Sequence, residues 1–272
     1  MAPDPLTLLA DLRALGVRPG DLLMIHASLR GLGLARSQGV ARGADLLISS
    51  LDEAVGPDGT LLMVLGTDYP QEWVNLRPVE ERAALLASSP AFDFIDAPVL
   101  PEVGYLAEAF RRTPGTLVSS HPSGRFGARG RRAAALVERQ PWNDYYGPGS
   151  PLEHLCQWSG RVLRLSASPD TVTALHYAEY LAQVPNKRRT QWDYMIAGAD
   201  GPRHVSIHCL NDSDGIVPWV GEDYFALILN EYRLLNRHRK GPVGAGAGEL
   251  LDASDLVTFG ARWMEKHLPH GH

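Results

Sequence analysis

The sequence predicts an α/β fold: one large domain, residues 1–272, in which helices flank a mixed sheet. Two short apolar runs, at 21–26 (DLLMIH) and 60–65 (TLLMVL), are typical of buried strands, and the helical pattern between them completes a β-α-β unit. The 272 residues are 44% hydrophobic and 21% charged, a composition that can bury a sizeable core. Neither a repeat nor a Gly/Ser-rich linker divides the chain, so we expect a single domain.

The remaining elements follow from periodicity and from turn residues. Leucines at helical spacing predict an opening helix over 5–15 that ends before Gly16. Further helices are predicted at 43–55, 105–112, 224–236 and 253–267, and further strands at 116–119, 160–165 and 203–210. The segment 66–96 is long, mixed in character and rich in proline, so we interpret it as an excursion that forms part of a pocket.

A strong helix start lies at residues 168–171 (SPDT). Ser168 is a preferred N-cap residue, proline suits the first turn, and an aspartate suits the positive end of the helix dipole. These signals predict a helix from Ser168 to about Val184, which Pro185 would end.

Within that helix, His176 and Glu179 are three residues apart and should face each other beside an apolar stripe. A carboxylate in this position can orient an imidazole, fix its tautomer and raise its basicity, which suits a general base. From spacing alone, an ion pair on the helix surface is the alternative.

Charge and length exclude several classes of protein. There are 31 acidic residues against 26 Lys and Arg, a formal net charge of -5, which disfavours nucleic acid and favours a cationic ligand. No apolar run approaches the roughly 20 residues of a membrane helix, and the N-terminal residues lack a secretory signal. We therefore expect a cytoplasmic protein without a membrane partner, whose two cysteines, Cys156 and Cys209, are reduced thiols.

The segment 172–179 (VTALHYAE), continuing to 184–188 (VPNKR), resembles the signature of the aminoglycoside 3-N-acetyltransferase family. Other blocks agree with the family in the expected order. They are 24–29 (MIHASL), 119–122 (SSHP), 149–152 (GSPL), 240–244 (KGPVG) and 255–260 (DLVTFG). The resemblance covers the chain from about residue 6 to residue 268.

This resemblance implies a single α/β chain that uses acetyl-CoA as co-substrate, and no metal, to acetylate the 3-amino group of aminoglycoside antibiotics, which confers resistance. It implies that His176 is the general base and Glu179 its orienting partner, and it favours a homodimer. A neutral imidazole can take the proton of an attacking amine, worth about 10²- to 10⁴-fold in rate. Direct transfer in a ternary complex is then sufficient.

The family resemblance and the loop chemistry together predict the contacts with CoA. The loop 26–33 offers backbone amides to a pyrophosphate, and the predicted helix at Ser168 adds a positive dipole end. The predicted contacts are His26, Ala27, Ser28, Leu29, Ser120, His121, Ser168, Thr171 and Thr173. The alternative for each hydroxyl is a helix cap or loop contact, and for His26 a satisfied core position.

A polycationic substrate should meet carboxylates, because hydrogen bonds between ions provide both affinity and orientation. Asp68 with its neighbour Tyr69, Glu102 and Asp212 are the candidates. Many family members carry a second carboxylate two residues before the aspartate that Asp212 resembles, whereas this chain has Leu210, which suggests narrower recognition of aminoglycosides. A simple turn is the alternative for Asp212.

Several other functions compete with this interpretation. A metal hydrolase could use His204 and His208, but on a strand these residues would lie about 13 Å apart. A covalent acyl enzyme would need Cys156 or Cys209 beside a histidine motif, and the sequence has none there. A non-catalytic binder of cationic drugs has no need of a paired base. An acetyltransferase for another amine, such as a biosynthetic intermediate, stays open.

Overall fold

The structure, a computed structural model, describes residues 4–211, 213 and 215–268. Within these ranges the strands are β1 (Leu22–Ala27), β2 (Thr60–Val64), β3 (Leu117–Val118), β4 (Phe126–Gly130), β5 (Arg161–Leu165), β6 (Arg189–Ile196), β7 (Arg203–Leu210), β8 (Arg239–Val243) and β9 (Gly246–Asp252). They form a seven-stranded sheet of order β3-β4-β2-β1-β5-β9-β8 and a separate hairpin of β6 and β7.

The helices of the described chain precede, connect and follow these strands. They are α1 (Pro5–Leu15), α2 (Leu34–Gln38), α3 (Val40–Val55), α4 (Val79–Ala87), α5 (Tyr105–Arg112), α6 (Ala133–Val137), α7 (Pro151–Gln157), α8 (Leu175–Leu181), α9 (Tyr224–Leu234) and α10 (Ala253–His267), with short 3-10 helices at Glu72–Leu76 and Pro101–Val103. The predicted single α/β domain with a mixed sheet is confirmed. No helix of the described chain is both long and apolar enough to cross a membrane.

Three parallel strands form the centre of the large sheet. β1 pairs in parallel with β2 on one side and with β5 on the other, while the outer pairs are antiparallel. The carboxyl ends of β1, β2 and β5 therefore meet at one edge. Loops at such an edge commonly bind ligands in α/β proteins, and the loops that follow these strands carry most of the predicted site residues.

Both faces of the sheet are buried, which explains why its central strands are nearly continuous apolar runs. On β1, Leu23 and Ile25 belong to one core cluster, with side chains from α1, α3 and α5, and Met24 belongs to the other, with side chains from α7, α8, α9 and α10. Side chains on a strand alternate between the faces, so each apolar position of β1 has a core to fill.

The predicted helix start at Ser168 is wrong. Residues 168–174 form turns, and α8 begins at Leu175 without a side-chain cap. The buried guanidinium of Arg164 donates to the carbonyl oxygens of Ala167 at 3.2 Å and Ser168 at 2.6 Å, and the Ser168 carbonyl also accepts from the Thr171 amide at 3.0 Å. These contacts hold the segment as a loop and override its local helix signals. Because no helix begins at Ser168, the positive dipole end that was predicted there is absent too.

The excursion 66–96 packs against the hairpin. The Asn75 side chain bonds both the amide and the carbonyl of Asp193, and the Arg82 guanidinium lies 3.2 Å from the Asp193 carboxylate. The Tyr69 hydroxyl accepts a hydrogen bond of 3.0 Å from the Met195 amide. Burial of Asp193 raises its pKa, but hydrogen bonds from neighbours such as Ser206, Gln191 and Arg82 outweigh that effect and leave the pKa below its usual value. The excursion is therefore a fixed layer on β6.

Candidate functional site

His176 and Glu179 form a hydrogen-bonded pair on α8. His176 Nδ1 lies 2.8 Å from Glu179 Oε2, as the spacing of three residues predicts. The Glu179 side chain is 2% exposed and the His176 side chain 20% exposed. A buried carboxylate at Nδ1 favours the tautomer that carries its proton there, which puts the basic lone pair on Nε2. The pair thus has the geometry of an oriented general base.

Tyr224, at the start of α9, completes the environment of Glu179, and the sequence analysis missed it. Its hydroxyl donates to Glu179 Oε1, the oxygen that does not bond His176. Burial, and then the negative charge of Glu179, raise the pKa of Tyr224 well above its usual value, so the hydroxyl keeps its proton and remains a donor. Residues 179 and 224 are distant in sequence, so spacing gave no signal for this contact.

Two aromatic rings fix the orientation of the imidazole. The Tyr146 ring stacks on it, with centroids 4.9 Å apart and an angle of 14° between the planes. The Phe225 ring meets it edge-on at 4.9 Å and 68°. These two ring contacts restrict rotation of the His176 ring.

Replacing Tyr224 by Phe tests the hydrogen bond without removing the ring. It leaves one oxygen of a buried carboxylate without its donor, which typically costs about 1 to 3 kcal/mol of stability. If the pair is the general base that the family resemblance implies, kcat should fall several-fold and KM for acetyl-CoA and for the amine should change little, measured by steady-state kinetics alongside thermal unfolding. A variant with unchanged kcat and stability would show that Tyr224 only packs.

A cavity of about 790 Å³ opens at the carboxyl ends of β1, β2 and β5. Its volume lies in the range of roughly 300 to 1,000 Å³ that is usual for ligand sites. Seven of the nine predicted CoA contacts line it: His26, Ala27, Ser28, Leu29, Ser168, Thr171 and Thr173. We call it the large cavity.

A second cavity, of about 340 Å³, reaches the paired base. His176, Glu179 and Tyr224 line it together with Asp170, Trp219 and Asp223. We call it the base cavity. The loop 168–174 lies between the two, because Asp170 lines the base cavity while its neighbour Thr171 lines the large one.

Two predicted CoA contacts lie apart from the large cavity. His121 is 1% exposed, its Nε2 is 2.9 Å from the Trp142 carbonyl oxygen, and its Nδ1 accepts from the amides of Ser123 and Gly124. Burial lowers the pKa of His121 to about 4. This histidine organises the turn after β3, and its neighbour Ser120 lines a different cavity.

The predicted substrate residues are also dispersed. Glu102 lines the large cavity instead of the base cavity, and Asp68 is exposed and lines neither of the two. Burial, and then the charges of Glu102 and Asp68, raise the pKa of Glu72. Tyr69 is 4% exposed and belongs to the core, so it offers a substrate almost no surface. Asp212 lies outside the described residues.

Leu210 lies in the core. It is 4% exposed at the end of β7, and its amide donates to the Tyr180 hydroxyl at 3.1 Å. Its packing argues against an unfilled ammonium site at this position, because the side chain already has apolar neighbours.

The cysteines and histidines considered for a covalent acyl enzyme or a metal hydrolase lie in surroundings that do not suit those reactions. Burial raises the pKa of the Cys156 thiol to about 12, so it stays protonated at neutral pH. Cys209 is buried in the core. His204 Nε2 lies 3.1 Å from Asp193 Oδ1. Across residues 4–211, 213 and 215–268, no group of three or more His, Cys, Asp or Glu side chains could hold a metal ion.

Comparisons with known proteins identify the family of the chain. The family model for aminoglycoside 3-N-acetyltransferases matches residues 24–265. The aminoglycoside N(3)-acetyltransferase VII of Streptomyces paromomycinus is 38% identical over 278 residues, which cover 95% of this chain and 90% of the relative.

Solved structures share the fold over nearly the whole length. AAC-IIIb in a binary complex with CoASH is 35% identical, with a TM-score of 0.89 and 99% of each chain covered. Sisomicin-bound AAC-VIa, solved by neutron and X-ray diffraction at room temperature, is 35% identical, with a TM-score of 0.87 and coverage of 98% of this chain and 99% of the other.

These matches define the protein as an acyltransferase with the α/β architecture described above. The chain belongs to the aminoglycoside 3-N-acetyltransferase family, the family that its sequence motifs resemble.

Proposed function

We propose that the protein transfers the acetyl group of acetyl-CoA directly to the 3-amino group of an aminoglycoside, with His176 as general base. The proposal rests on the hydrogen-bonded His176–Glu179 pair. This pair lines the base cavity and lies next to the loop that separates it from the large cavity. Two relatives support the choice of substrates, since one is a complex with CoASH and another is bound to sisomicin.

The chain's residues divide the reaction between them. An amine that attacks the thioester carbonyl forms the C–N bond, breaks the C–S bond and must lose a proton. His176 Nε2 receives that proton, and the Glu179 carboxylate at Nδ1 stabilises the resulting imidazolium. Tyr224 keeps the carboxylate oriented. The departing thiolate of CoA can then recover a proton from the imidazolium, so no covalent enzyme intermediate is required.

The large cavity fits acetyl-CoA, the co-substrate. The hydroxyls of Ser28, Ser168, Thr171 and Thr173 line it and can donate hydrogen bonds. Thr171 and Thr173 belong to the loop that separates this cavity from the base cavity, so they suit the thioester end. His26 lies beneath it as a neutral imidazole, because burial and the charge of Arg164 lower its pKa to about 3.

The base cavity fits the amine. Besides Glu179, the carboxylates of Asp170 and Asp223 line it, next to the Trp219 ring. The base cavity can therefore bind ammonium groups through the carboxylates and the apolar face of a sugar through the ring. Asp223 already caps α9 by accepting from the Phe225 amide at 2.8 Å and the Ala226 amide at 3.2 Å. Asp170 is exposed, caps no helix and accepts a hydrogen bond of 3.3 Å from the Thr171 hydroxyl, which an asparagine oxygen could also accept, so we assign its negative charge to the substrate.

Substituting Asp170 by Asn should therefore raise KM for polyamine aminoglycosides about three- to tenfold and leave KM for acetyl-CoA unchanged, because only the amine loses a charge-assisted hydrogen bond. Added salt should weaken the effect, since an exposed ion pair is screened. Initial rates at low and high salt measure the change in KM and its dependence on salt. An equal change in KM for both substrates would assign Asp170 to loop structure instead.

A panel assay tests the proposed function as a whole. The protein is mixed with acetyl-CoA and a range of aminoglycosides, and released CoA is detected with a thiol reagent. Release that depends on an aminoglycoside, with product acetylated at the 3-amino group by mass spectrometry and NMR, supports the proposal. Release only with other amines would favour a different acceptor, and no release with any amine would favour a non-catalytic binder.

A further inference from the structure

Two adjacent cations of the segment 184–188, Lys187 and Arg188, line neither the large cavity nor the base cavity. Both are partly buried on the chain that joins α8 to β6. A cationic side chain that leaves water needs hydrogen-bond acceptors, because burial of an unpaired charge is costly. Each of these two finds main-chain carbonyl oxygens. The carbonyls belong to two residues that line the base cavity, Glu179 and Gly215, and to their neighbours.

Lys187 closes the helix that carries the base. Its Nζ donates to the carbonyl oxygens of Glu179 at 2.6 Å and Tyr180 at 3.2 Å. In a longer helix the Gln183 amide would bond the Glu179 carbonyl, but it donates instead to Glu265 Oε1 at 2.8 Å. The lysine therefore replaces a missing helix donor at Glu179.

Arg188 holds the loop 215–217, which contributes Gly215 to the base cavity. Its guanidinium donates to the Gly215 carbonyl oxygen at 3.0 and 2.8 Å and to the Val217 carbonyl oxygen at 3.0 Å. Its own amide donates to the Ile216 carbonyl oxygen at 2.7 Å. Three successive carbonyls of the loop thus bond one residue, so the path of this loop depends on Arg188.

The same loop packs on Tyr224. The Ile216 amide lies 3.5 Å from the Tyr224 hydroxyl oxygen. A Cβ atom at Gly215 would lie 3.1 Å from Tyr224 Cε1 and 3.2 Å from the hydroxyl, so the loop touches the ring directly. This hydroxyl is the one that donates to Glu179. A shift of the loop would therefore move the donor of that hydrogen bond.

We propose that Lys187 and Arg188 are positioning residues for the general base. Lys187 holds Glu179 through the end of α8. Arg188 holds Tyr224 through the loop 215–217. The two cations thus fix the acceptor and the donor of one hydrogen bond, the bond that orients the carboxylate beside the imidazole. The inference rests on the proposed function, in which that imidazole is the base.

A double-mutant cycle tests the route from Arg188 through Tyr224. Arg188→Lys keeps the charge but loses the rigid fork that holds two carbonyl oxygens. It should lower kcat about fivefold and change KM for acetyl-CoA little, because about one hydrogen bond is weakened outside the large cavity. In a Tyr224→Phe background the same change should lower kcat by less than about twofold, since the affected bond is already absent. Equal losses in both backgrounds would overturn this route, because independent effects add.

Arg189→Lys is the matched control for the arginine. Arg189 is the next residue in the chain, is exposed, and pairs with the partly exposed carboxylate of Asp144 at 2.6 Å. This variant should keep wild-type kcat, and thermal unfolding shows whether each variant is folded.

Substitutions of Lys187 test the helix side and do not depend on whether Arg188→Lys folds. Lys187→Gln should lower kcat about fivefold, because a charged donor to the end of α8 is lost. Lys187→Arg can donate to the same carbonyl oxygens and should recover most of that loss. Lys266→Gln, an exposed lysine in the last turn of α10, should change nothing. An unchanged kcat in Lys187→Gln, or no recovery in Lys187→Arg, would overturn the role of Lys187.

NMR titration of the His176 imidazole provides a readout that needs no acetyl transfer, with the signal assigned by its absence in His176→Gln. The described titratable groups that contact this ring or share its cavity are Tyr146, Asp170, Glu179, Asp223 and Tyr224. All of them are retained in Arg188→Lys and Lys187→Gln. A weaker donor from Tyr224 leaves more negative charge to stabilise the imidazolium, and loss of the Lys187 cation removes a repulsion. The pKa of His176 should therefore rise in both variants.

This titration separates the inference from the proposed function. A raised pKa of His176 in both variants would support the positioning role even if no amine were acetylated in the panel assay. An unchanged pKa in both, in an enzyme that transfers acetyl, would reject the positioning role and leave the proposed function intact.

Discussion

His176→Ala should lower kcat by about 10²- to 10⁴-fold, the usual contribution of a positioned general base. The Michaelis constant for acetyl-CoA should change little, because the imidazole lines the base cavity and not the large cavity. Steady-state kinetics with acetyl-CoA and a saturating aminoglycoside measure both constants. Thermal unfolding checks that the loss does not come from a damaged fold.

His208→Ala is the matched control, since His208 is an exposed imidazole on β7 that lines neither cavity. It should keep wild-type kcat. If His176→Ala also kept it, the assignment of the base would be wrong.

Rescue by added imidazole would separate chemistry from structure. The His176 ring stacks on Tyr146 and contacts the Phe225 ring edge-on, so its removal in His176→Gly leaves a space beside both rings that free imidazole can enter. Partial recovery of kcat that saturates with imidazole would indicate that the missing group is a proton acceptor. No recovery in a folded variant would instead point to a role in positioning.

Elements with strong local signals were predictable from the sequence. The helices α1 and α10 and the strand β7 have the predicted bounds of 5–15, 253–267 and 203–210. In α1 the leucines that set the pattern, such as Leu8 and Leu12, are fully buried, so local periodicity and tertiary packing agree. The His176–Glu179 contact was predictable for the same reason, because it depends only on the geometry of one helical turn.

Features that depend on distant contacts were not predictable. The loop at 168–174 is fixed by Arg164, whose carbonyl contacts override a strong capping signal. The hydrogen bond between Tyr224 and Glu179 and the stacking of Tyr146 on His176 join separate parts of the chain. Single-sequence patterns contain no record of such pairs. Strands β4, β6, β8 and β9 were missed as well, because polar residues and glycines interrupt their apolar pattern.

Position 210 shows how burial decides between two hypotheses that the sequence leaves open. If Leu210 faced a vacated ammonium site, Leu210→Glu would restore a substrate contact. The structure instead packs Leu210 in the core cluster at 4% exposure, beside the Tyr180 hydroxyl that its amide contacts. Leu210→Glu should therefore destabilise the protein by several kcal/mol, the cost of burying a carboxyl without partners.

The pH dependence of that loss has a definite sign. Burial raises the pKa of the new carboxyl in the folded state above its value in the unfolded chain. Stability relative to wild type is then greatest below the unfolded-state pKa and falls as pH rises through the folded-state pKa. Urea unfolding at about pH 5 and pH 8 should show the larger deficit at pH 8.

Two controls isolate burial from the loss of leucine. Leu210→Met conserves volume and should cost less than about 1.5 kcal/mol. Leu234→Glu places the same charge on a side chain that is 78% exposed, where surface substitutions usually change stability by about 0.5 kcal/mol or less. The opposite result would be a folded Leu210→Glu protein with wild-type stability and a lower KM for polyamine aminoglycosides. It would show that position 210 belongs to the substrate pocket, because a buried carboxylate without a cationic partner cannot produce both effects.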